Sequence, residues 1–256
     1  MKTVRTVADV RRELEPRRGG TVGLVPTLGA LHAGHASLFE AARGECDTVV
    51  ASLFVNPAQF DRAADLTRYP RDEGADAELA AAAGVDLLFA PDTDEIYPPG
   101  YQTWVEVEEL GRILEGKHRP GHFRGVATVC LKLFNIVRPE RAYFGQKDAQ
   151  QVAVLQRLVR DLELEVEIRV LPTVRDEDGL ALSSRNALLT PEQRRAALAL
   201  PRALATRDAA AARAALDGLD VDYVEVADFD PPVLAAAVRV GSVRLIDNVV
   251  LEEEKP

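Results

Sequence analysis

The chain has 256 residues, 47% of them hydrophobic, and a formal net charge of −10. That much apolar material fills the core of one large domain or two smaller ones and excludes disorder, and the acidic balance excludes general nucleic-acid binding, which needs a basic surface. Cys46 and Cys130, the two cysteines, form neither a disulfide framework nor a Cys-x-x-Cys knuckle, which fits a reducing cytoplasm. The opening "MKTVRTVADVRREL" predicts a strand or turn entering a polar helix, not a signal peptide. "TVGLVPT" (21–27) predicts a buried strand, with a helix following through Ala42. "DTVVASLFV" (47–55) is a second strand, a polar loop leads to an Ala-rich helix near 74–83, and "VDLLFAP" (85–91) is a third strand. The longest apolar run, Val126 to Val137, is broken by Lys132 and Asn135 and is no membrane span. Residues 125–137 predict a helix and "RAYFG" (141–145) a fourth strand. Val152, Leu155, Val159 and Leu162 share one face of a helix over 149–162, and "LEVEIRVLP" (164–172) is a fifth strand.

Strands alternating with helices imply β-α-β units, hence an α/β fold with a doubly wound parallel sheet over residues 1–173. The pattern then changes. "TPEQ" predicts a helix start, with Thr190 as cap and Gln193 completing a capping box. Pro201 breaks or kinks the Ala/Arg-rich helix that follows. "LDVDYVEVADF" and "SVRLIDNVVLEE" are two more strands, giving a smaller α+β domain over 174–256.

The familiar phosphate-binding and hydrolase fingerprints are absent: no G-x-x-x-x-G-K-[ST], no G-x-G-x-x-G after a strand, no H-E-x-x-H, no G-x-S-x-G. Four polar clusters each follow a strand instead. In "PTLGALHAGH", Gly29 and Gly34 permit close backbone approach, and His32 and His35 stand where a helix begins. Spacing leaves three readings open: a phosphate site at a helix N-terminus, capping or packing, or a metal pair on one helix face. In "FVNPAQF", Asn56 and Gln59 offer neutral amides at a sheet's carboxyl edge, or plain turn chemistry. In "FGQKDAQQ", Lys147 is a mobile point charge for an anionic group or a solvated lysine, while Asp148 and Gln151 have the spacing of a capping box or take a ribose hydroxyl and a substrate. "GLALSSRN" is a phosphate clamp or a polar turn.

Taken in order, "PTLGALHAGH", "FVNPAQF", "YPRD", "RPGHFRGVATV", "KLFNIVRPERAYFGQKDAQQ", "DGLALSSRN" and "VRLIDN" resemble the pantoate–β-alanine ligase (pantothenate synthetase) family. The "HAGH" piece is of a type shared with all HIGH-motif nucleotidyltransferases. The resemblance implies a Rossmann-like domain with a small C-terminal lid. It also implies an ATP- and Mg²⁺-dependent reaction that joins pantoate to β-alanine through a pantoyl adenylate, releasing AMP and pyrophosphate. Carried over residue by residue, Leu28, Gly29, Ala30, Leu31, His32, Ala33, Gly34 and His35 bind ATP. So do Gly145, Gln146, Lys147, Asp148, Val174, Leu182, Ser183, Ser184 and Arg185, the last four as counterpart of the KMSKS loop. His35, His32, Lys147 and Arg185 carry catalysis, and Gln59, Gln151 and Asn56 take pantoate and β-alanine. A homodimer is implied as well. The Mg²⁺ ligands are unassigned, with Asp65, Asp72 and Asp76 as nearby acids.

The chemistry of these residue types agrees. A carboxylate attacking a triphosphate needs its charge neutralised and its geometry fixed. Two imidazoles, a helix N-terminus, Lys147, Arg185 and Mg²⁺ supply that, and Val126 and Val129 give an apolar wall for pantoate's methyl groups. Leu28 replaces the family's usual methionine, a near-isosteric change. Cys130 replaces a commoner valine and adds an expected sensitivity to thiol reagents. Ala181 stands where a KMSKS loop begins with lysine, so the loop's charge rests on Arg185. The competing readings are another HIGH-type adenylyltransferase, which would need a basic acceptor pocket in place of Gln59 and Gln151, and a non-catalytic nucleotide sensor.

Overall fold

The computed structural model describes residues 1–61 and 63–251. Its contacts divide the chain into two units, Met1–Phe144 with Val154–Leu171, and Gly145–Ala153 with Pro172–Pro256. The second unit thus takes in a short stretch well ahead of residue 174, which no single cut in the sequence describes.

The first unit carries β1 (Lys2–Val4), α1 (Val7–Leu14), β2 (Val22–Thr27), α2 (Ala33–Glu45), β3 (Thr48–Leu53), α3 (Ala63–Arg68), α4 (Glu73–Ala82) and β4 (Leu87–Phe89). After them come α5 (Thr93–Ile96), α6 (Leu114–His118), α7 (His122–Val137), β5 (Arg141–Gly145, its last residue counted with the second unit), α8 (Ala149–Asp161, of which Ala149–Ala153 are counted with the second unit) and β6 (Glu167–Leu171). The six strands form one sheet in the order β1-β4-β3-β2-β5-β6. β2 pairs in parallel with both β3 and β5, so the chain runs outward from it through β3 and β4 on one side and β5 and β6 on the other, with β1 added at the edge beyond β4: the sheet is doubly wound. At such a reversal, loops leaving the carboxyl ends of neighbouring strands diverge and open a crevice. β2 and β3 are apolar almost throughout because both faces are covered. Phe39 of α2 and Leu88 of β4 are buried against this core with Val25, Val49 and Tyr143. Removing Phe39 to the β-carbon would cost about 3–5 kcal/mol.

Two details depart from the periodicity. α8 buries Val154 and Leu158 beside Val152 and Leu155, whereas Leu162 is 47% exposed. The helix stops at Asp161 and Glu163 takes a left-handed φ of 51°, so the expected stripe ends one turn early. α3 also occupies part of the expected polar loop.

The second unit holds α9 (Pro191–Ala197), α10 (Ala199–Leu204), α11 (Ala209–Ala215), β7 (Asp220–Ala227), β8 (Val233–Val240) and β9 (Val243–Val250). The strands form an antiparallel sheet in chain order. Thr190 and Gln193 make the expected capping box on α9. The helical stretch breaks at Leu198, because a proline at 201 cannot donate and its ring crowds the carbonyl four residues earlier. β8 was not expected. Its sequence "VLAAAVRV" lies mid-sheet and is buried on both faces, so it lacks the alternation that marks a half-buried strand. Leu200, Leu204, Leu216, Leu234 and Val238 fill the core of this unit. The last two residues of the expected strand "SVRLIDNVVLEE" lie outside the described residues.

Candidate active site

In the first unit, β2 runs into the segment Leu28–His32, and α2 follows. Gly29 has a φ of +88° and Ala30 one of +53°. A β-carbon on Gly29 would meet Asp76 Oδ2 at 2.9 Å and Leu53 Cδ1 at 3.0 Å, so glycine is required on both counts. The left-handed turn is held from α4. Asp76, 4% exposed, accepts from the main-chain N–H of Ala30 (3.0 Å, Oδ2) and of Leu31 (2.7 Å, Oδ1). Tyr69 Oη donates to the carbonyl of Gly29 at 3.3 Å. Asp72 caps α4 by accepting from Ala75 N–H at 3.0 Å. Two of the three acids near the expected metal are therefore tied to backbone, and the described residues contain no group of three His, Cys, Asp or Glu side chains placed to hold an ion.

His32 is the N-cap of α2, and its Nδ1 accepts from Gly34 N–H at 3.1 Å. His35, three residues on, accepts from His32 N–H through its own Nδ1 at 3.3 Å. The two histidines thus form a reciprocal capping box, the task that Ser/Thr and Glu/Gln usually share. An Nδ1 that accepts cannot carry the proton, so both rings are neutral with N–H at Nε2. The ring centroids lie 4.2 Å apart. The capping reading is thus realised in both rings, which leaves the Nε2–H of each at the positive end of the helix.

Asn56 follows β3 and is wholly buried. Its Oδ1 accepts from Ala58 N–H (3.2 Å) and Tyr97 Oη (3.0 Å). Its Nδ2 donates to Gln59 Oε1 (2.9 Å) and the Gly125 carbonyl (3.1 Å). All four hydrogen-bonding positions of the amide are used, so Asn56 presents none to a substrate, contrary to the expectation of direct contact. Burial, with Tyr101 and Cys130 adding to it, pushes the Tyr97 phenol well above the ordinary tyrosine value, which keeps it a donor. Because Gln59 Oε1 accepts from Asn56, the Gln59 amide is held with its NH₂ turned away. Gln59 is also held by its main chain. His122 Nε2 faces Arg119 Nη1 at 3.2 Å, and a guanidinium only donates, so the His122 proton is on Nδ1 and goes to the Gln59 carbonyl at 2.8 Å. Gly125 lets α7 lie directly on this turn, since a β-carbon there would run into the Ala58 carbonyl. Val126 and Val129 are buried on α7. So is Cys130, whose thiol is pushed up to about 12 by burial, which argues against the expected sensitivity to thiol reagents.

In the second unit, Gln146–Asp148 form a single 3₁₀ turn after Gly145. Lys147 is half-buried. Desolvation draws its pKa below the ordinary lysine value; Asp148 opposes that, Arg185 adds to it, and Asp247 opposes it. Among the described residues, no hydrogen bond or ion pair engages the side chains of Lys147, Asp148, Gln151 or Arg185, so of the two readings of Asp148 and Gln151 the capping box is not made. Val174 and Leu182 are joined directly, Leu182 N–H donating to the Val174 carbonyl at 3.0 Å. Arg175 of that hairpin pairs in bidentate fashion with the buried Asp247 of β9, at 2.6 and 3.0 Å. Ser183 Oγ caps the next turn (Ser184–Leu188) by accepting from Arg185 N–H at 3.2 Å. Two buried polar atoms lack a partner among the described residues, Thr173 Oγ1 and Asn186 Oδ1, and they flank Val174 and Ser183–Arg185 in sequence.

The family model described as Pantoate-beta-alanine ligase matches residues 2–250. The chain belongs to the pantoate–β-alanine ligase family. A pantothenate synthetase of Moorella thermoacetica is 52% identical, covering 98% of this chain and 99% of its own. The crystal structure of pantothenate synthetase from Thermus thermophilus matches with a TM-score of 0.93 at 47% identity, over 98% of this chain and 99% of that one. The pantoate-β-alanine ligase of Francisella tularensis, described as complexed with β-γ ATP and β-alanine, matches at TM-score 0.87 and 36% identity, over 98% and 97% of the two chains. His122, Arg119, Tyr97 and Asn248 had no role in the sequence reading, and Asp76 entered it only as an acid near the unassigned Mg²⁺. His122, Arg119 and Asn248 stood inside family motifs, but only the fold shows what they touch.

Proposed function

We propose that this ligase-family chain condenses pantoate with β-alanine, using ATP, through a pantoyl adenylate. The observation that carries the reading is the reciprocal histidine cap, which sets two neutral Nε2–H donors at the start of a 13-residue helix. Pantoate's carboxylate attacks the α-phosphate of ATP and pyrophosphate leaves. The β-alanine amine then attacks the acyl carbonyl, AMP leaves, and the amine proton passes to solvent. No covalent enzyme intermediate is needed, consistent with a buried, protonated Cys130.

Each group has work matched to its state. His32 and His35 donate to phosphate oxygens without adding a charge that ATP release would have to overcome. Lys147 and Arg185, two neighbouring cations whose side chains no hydrogen bond or close ion pair engages among the described residues, are an anion site that pyrophosphate's charge completes. Leu28–His35, Gly145–Asp148, Val174 and Leu182–Arg185 are assigned to ATP. An adenine edge near Val174 would give Thr173 Oγ1 or Asn186 Oδ1 the partner that each lacks. Gln59, presenting its NH₂, and Gln151 are assigned to pantoate, with Asn56 as their support. Asp72 and Asp76 do not fit as metal ligands, and Mg²⁺ is assigned to the incoming nucleotide as MgATP, held by phosphate oxygens and water. The chain's place in the cytoplasm and its homodimeric state are part of the proposal; among the described residues no helix is long and apolar enough to cross a membrane.

The test is exchange of labelled pyrophosphate into ATP. It should require pantoate and proceed without β-alanine, with AMP appearing once β-alanine is added. Exchange with another acid but not with pantoate would overturn the substrate assignment. Sedimentation at the mass of one chain, 27.9 kDa, would remove the dimer.

A further inference from the structure

Asn248 closes the motif "VRLIDN" on β9 and is 5% exposed. Its Nδ2 donates to the main-chain carbonyl of Gln146 at 2.9 Å and to that of Lys147 at 2.9 Å. Its Oδ1 accepts from Gln146 Nε2 at 3.1 Å. One amide thus directs three hydrogen bonds to one short turn, about a hundred residues away in sequence. The strand under it is fixed in turn. Asp247 Oδ1 accepts Asn248 N–H at 2.8 Å, and the same carboxylate holds Arg175.

The Lys147 side chain has no comparable anchor, since no hydrogen bond or ion pair engages its ammonium among the described residues. A point charge on four rotatable bonds is placed only as well as the backbone that carries it. That backbone is gripped at the Lys147 carbonyl itself. We propose that Asn248 is a positioning residue for the adenylation step: it holds the Gln146–Lys147 turn so that the Lys147 ammonium meets the ATP phosphates. The assignment rests on the reading of Lys147 as an ATP contact. Asparagine suits the task because it presents two donors to two carbonyls and an acceptor to the Gln146 amide. Aspartate, of the same shape, would set a carboxylate against both carbonyl oxygens.

The experiment is a double-mutant cycle on the full chain, read by pantoate-dependent pyrophosphate exchange with varied ATP and, separately, varied pantoate. Asn248→Ala should lower kcat/KM for ATP about tenfold or more, the scale of a displacement under 1 Å, and leave KM for pantoate within about twofold. Asn248→Asp should lose at least as much. In a Lys147→Ala background, Asn248→Ala should cost less than about twofold more, because the group it positions is gone. Independent losses that multiply, or an unchanged ATP dependence in Asn248→Ala, would overturn the proposal. A Lys147→Ala enzyme with unaltered ATP dependence would overturn the Lys147 reading itself, and the two failures are told apart by that single variant. If Asn248→Ala melts below the assay temperature, Asn248→Ser, which keeps one donor, takes its place under the same criteria.

Discussion

Asn56 determines which way round the Gln59 amide lies: its Nδ2 donates to Gln59 Oε1 at 2.9 Å. An amide is otherwise free to flip, and a flipped Gln59 would offer a carbonyl where a pantoate oxygen needs a donor. Asn56→Ala should therefore raise KM for pantoate about tenfold and leave KM for ATP near the parent value. Unpartnering Gln59, Tyr97 and the Ala58 N–H should also cost about 1–3 kcal/mol of stability, read as a lower Tm.

The two roles of His35 can be separated. His35→Gln restores the capping-box residue at the third helical position, so Tm should hold within a few degrees. Turnover should nevertheless fall at least about a hundredfold in His35→Gln and His35→Ala alike, the usual scale for a lost charge-stabilising donor. Near-parental turnover in either would remove His35 from the mechanism. In the parent chain, nitrogen NMR should find His32 and His35 protonated at Nε2 and His122 at Nδ1.

With Lys147 on the ATP phosphates, as proposed, ATP binding should have a basic limb. Its pKa is drawn down first by desolvation, with Asp148 and Asp247 opposing and Arg185 reinforcing. The free enzyme therefore begins to lose this proton at a lower pH than an exposed lysine would, while the bound triphosphate favours the charged form. ATP affinity should decline as pH rises through the Lys147 pKa, and Lys147→Arg, which stays charged, should push that decline to higher pH. The sign for folding is opposite. A lowered folded-state pKa means that burial of the charge disfavours folding below it, and stability contributed by this group rises with pH until the unfolded-state value is passed. Isothermal titration with ATP and chemical denaturation across pH measure the two.

Cys130 should be inert in the native chain. With its thiol pushed up to about 12 by burial, the thiolate fraction at pH 8 is about one in ten thousand. Alkylation of the native protein followed by peptide mass spectrometry should leave Cys130 unlabelled, whereas denatured chain should label fully. Rapid native labelling would contradict the packing of α7.

Much of the frame was legible because local signals agreed with their setting. "RAYFG" forms β5 over the same residues, and "TPEQ" starts α9 with both capping bonds. Elements went unread where tertiary burial replaced periodicity, as in β8, or where a chain reversal cut a helix short, as before Leu162. At the site, residue type pointed to His32, His35 and Lys147, but not to partnership. Asn56 looked like a ligand residue because nothing in "FVNPAQF" announces that Tyr97 and Gly125, tens of residues on, consume its capacity. Asp76 looked like a metal acid because the N–H groups it serves lie 45 and 46 residues earlier. Such long-range pairing carries no short-range pattern.

The Asp76 carboxylate, finally, makes one helix the timekeeper of a distant loop. The amides of Ala30 and Leu31 can exchange with solvent deuterium only when α4 lets go of them or the loop opens locally. ATP that closes on this loop would slow exchange along α4 too, though α4 need never touch the nucleotide. Occupancy would thus be reported as protection in residues 73–82, the span of α4, and weakening α4 from its far end would register as a looser grip on ATP.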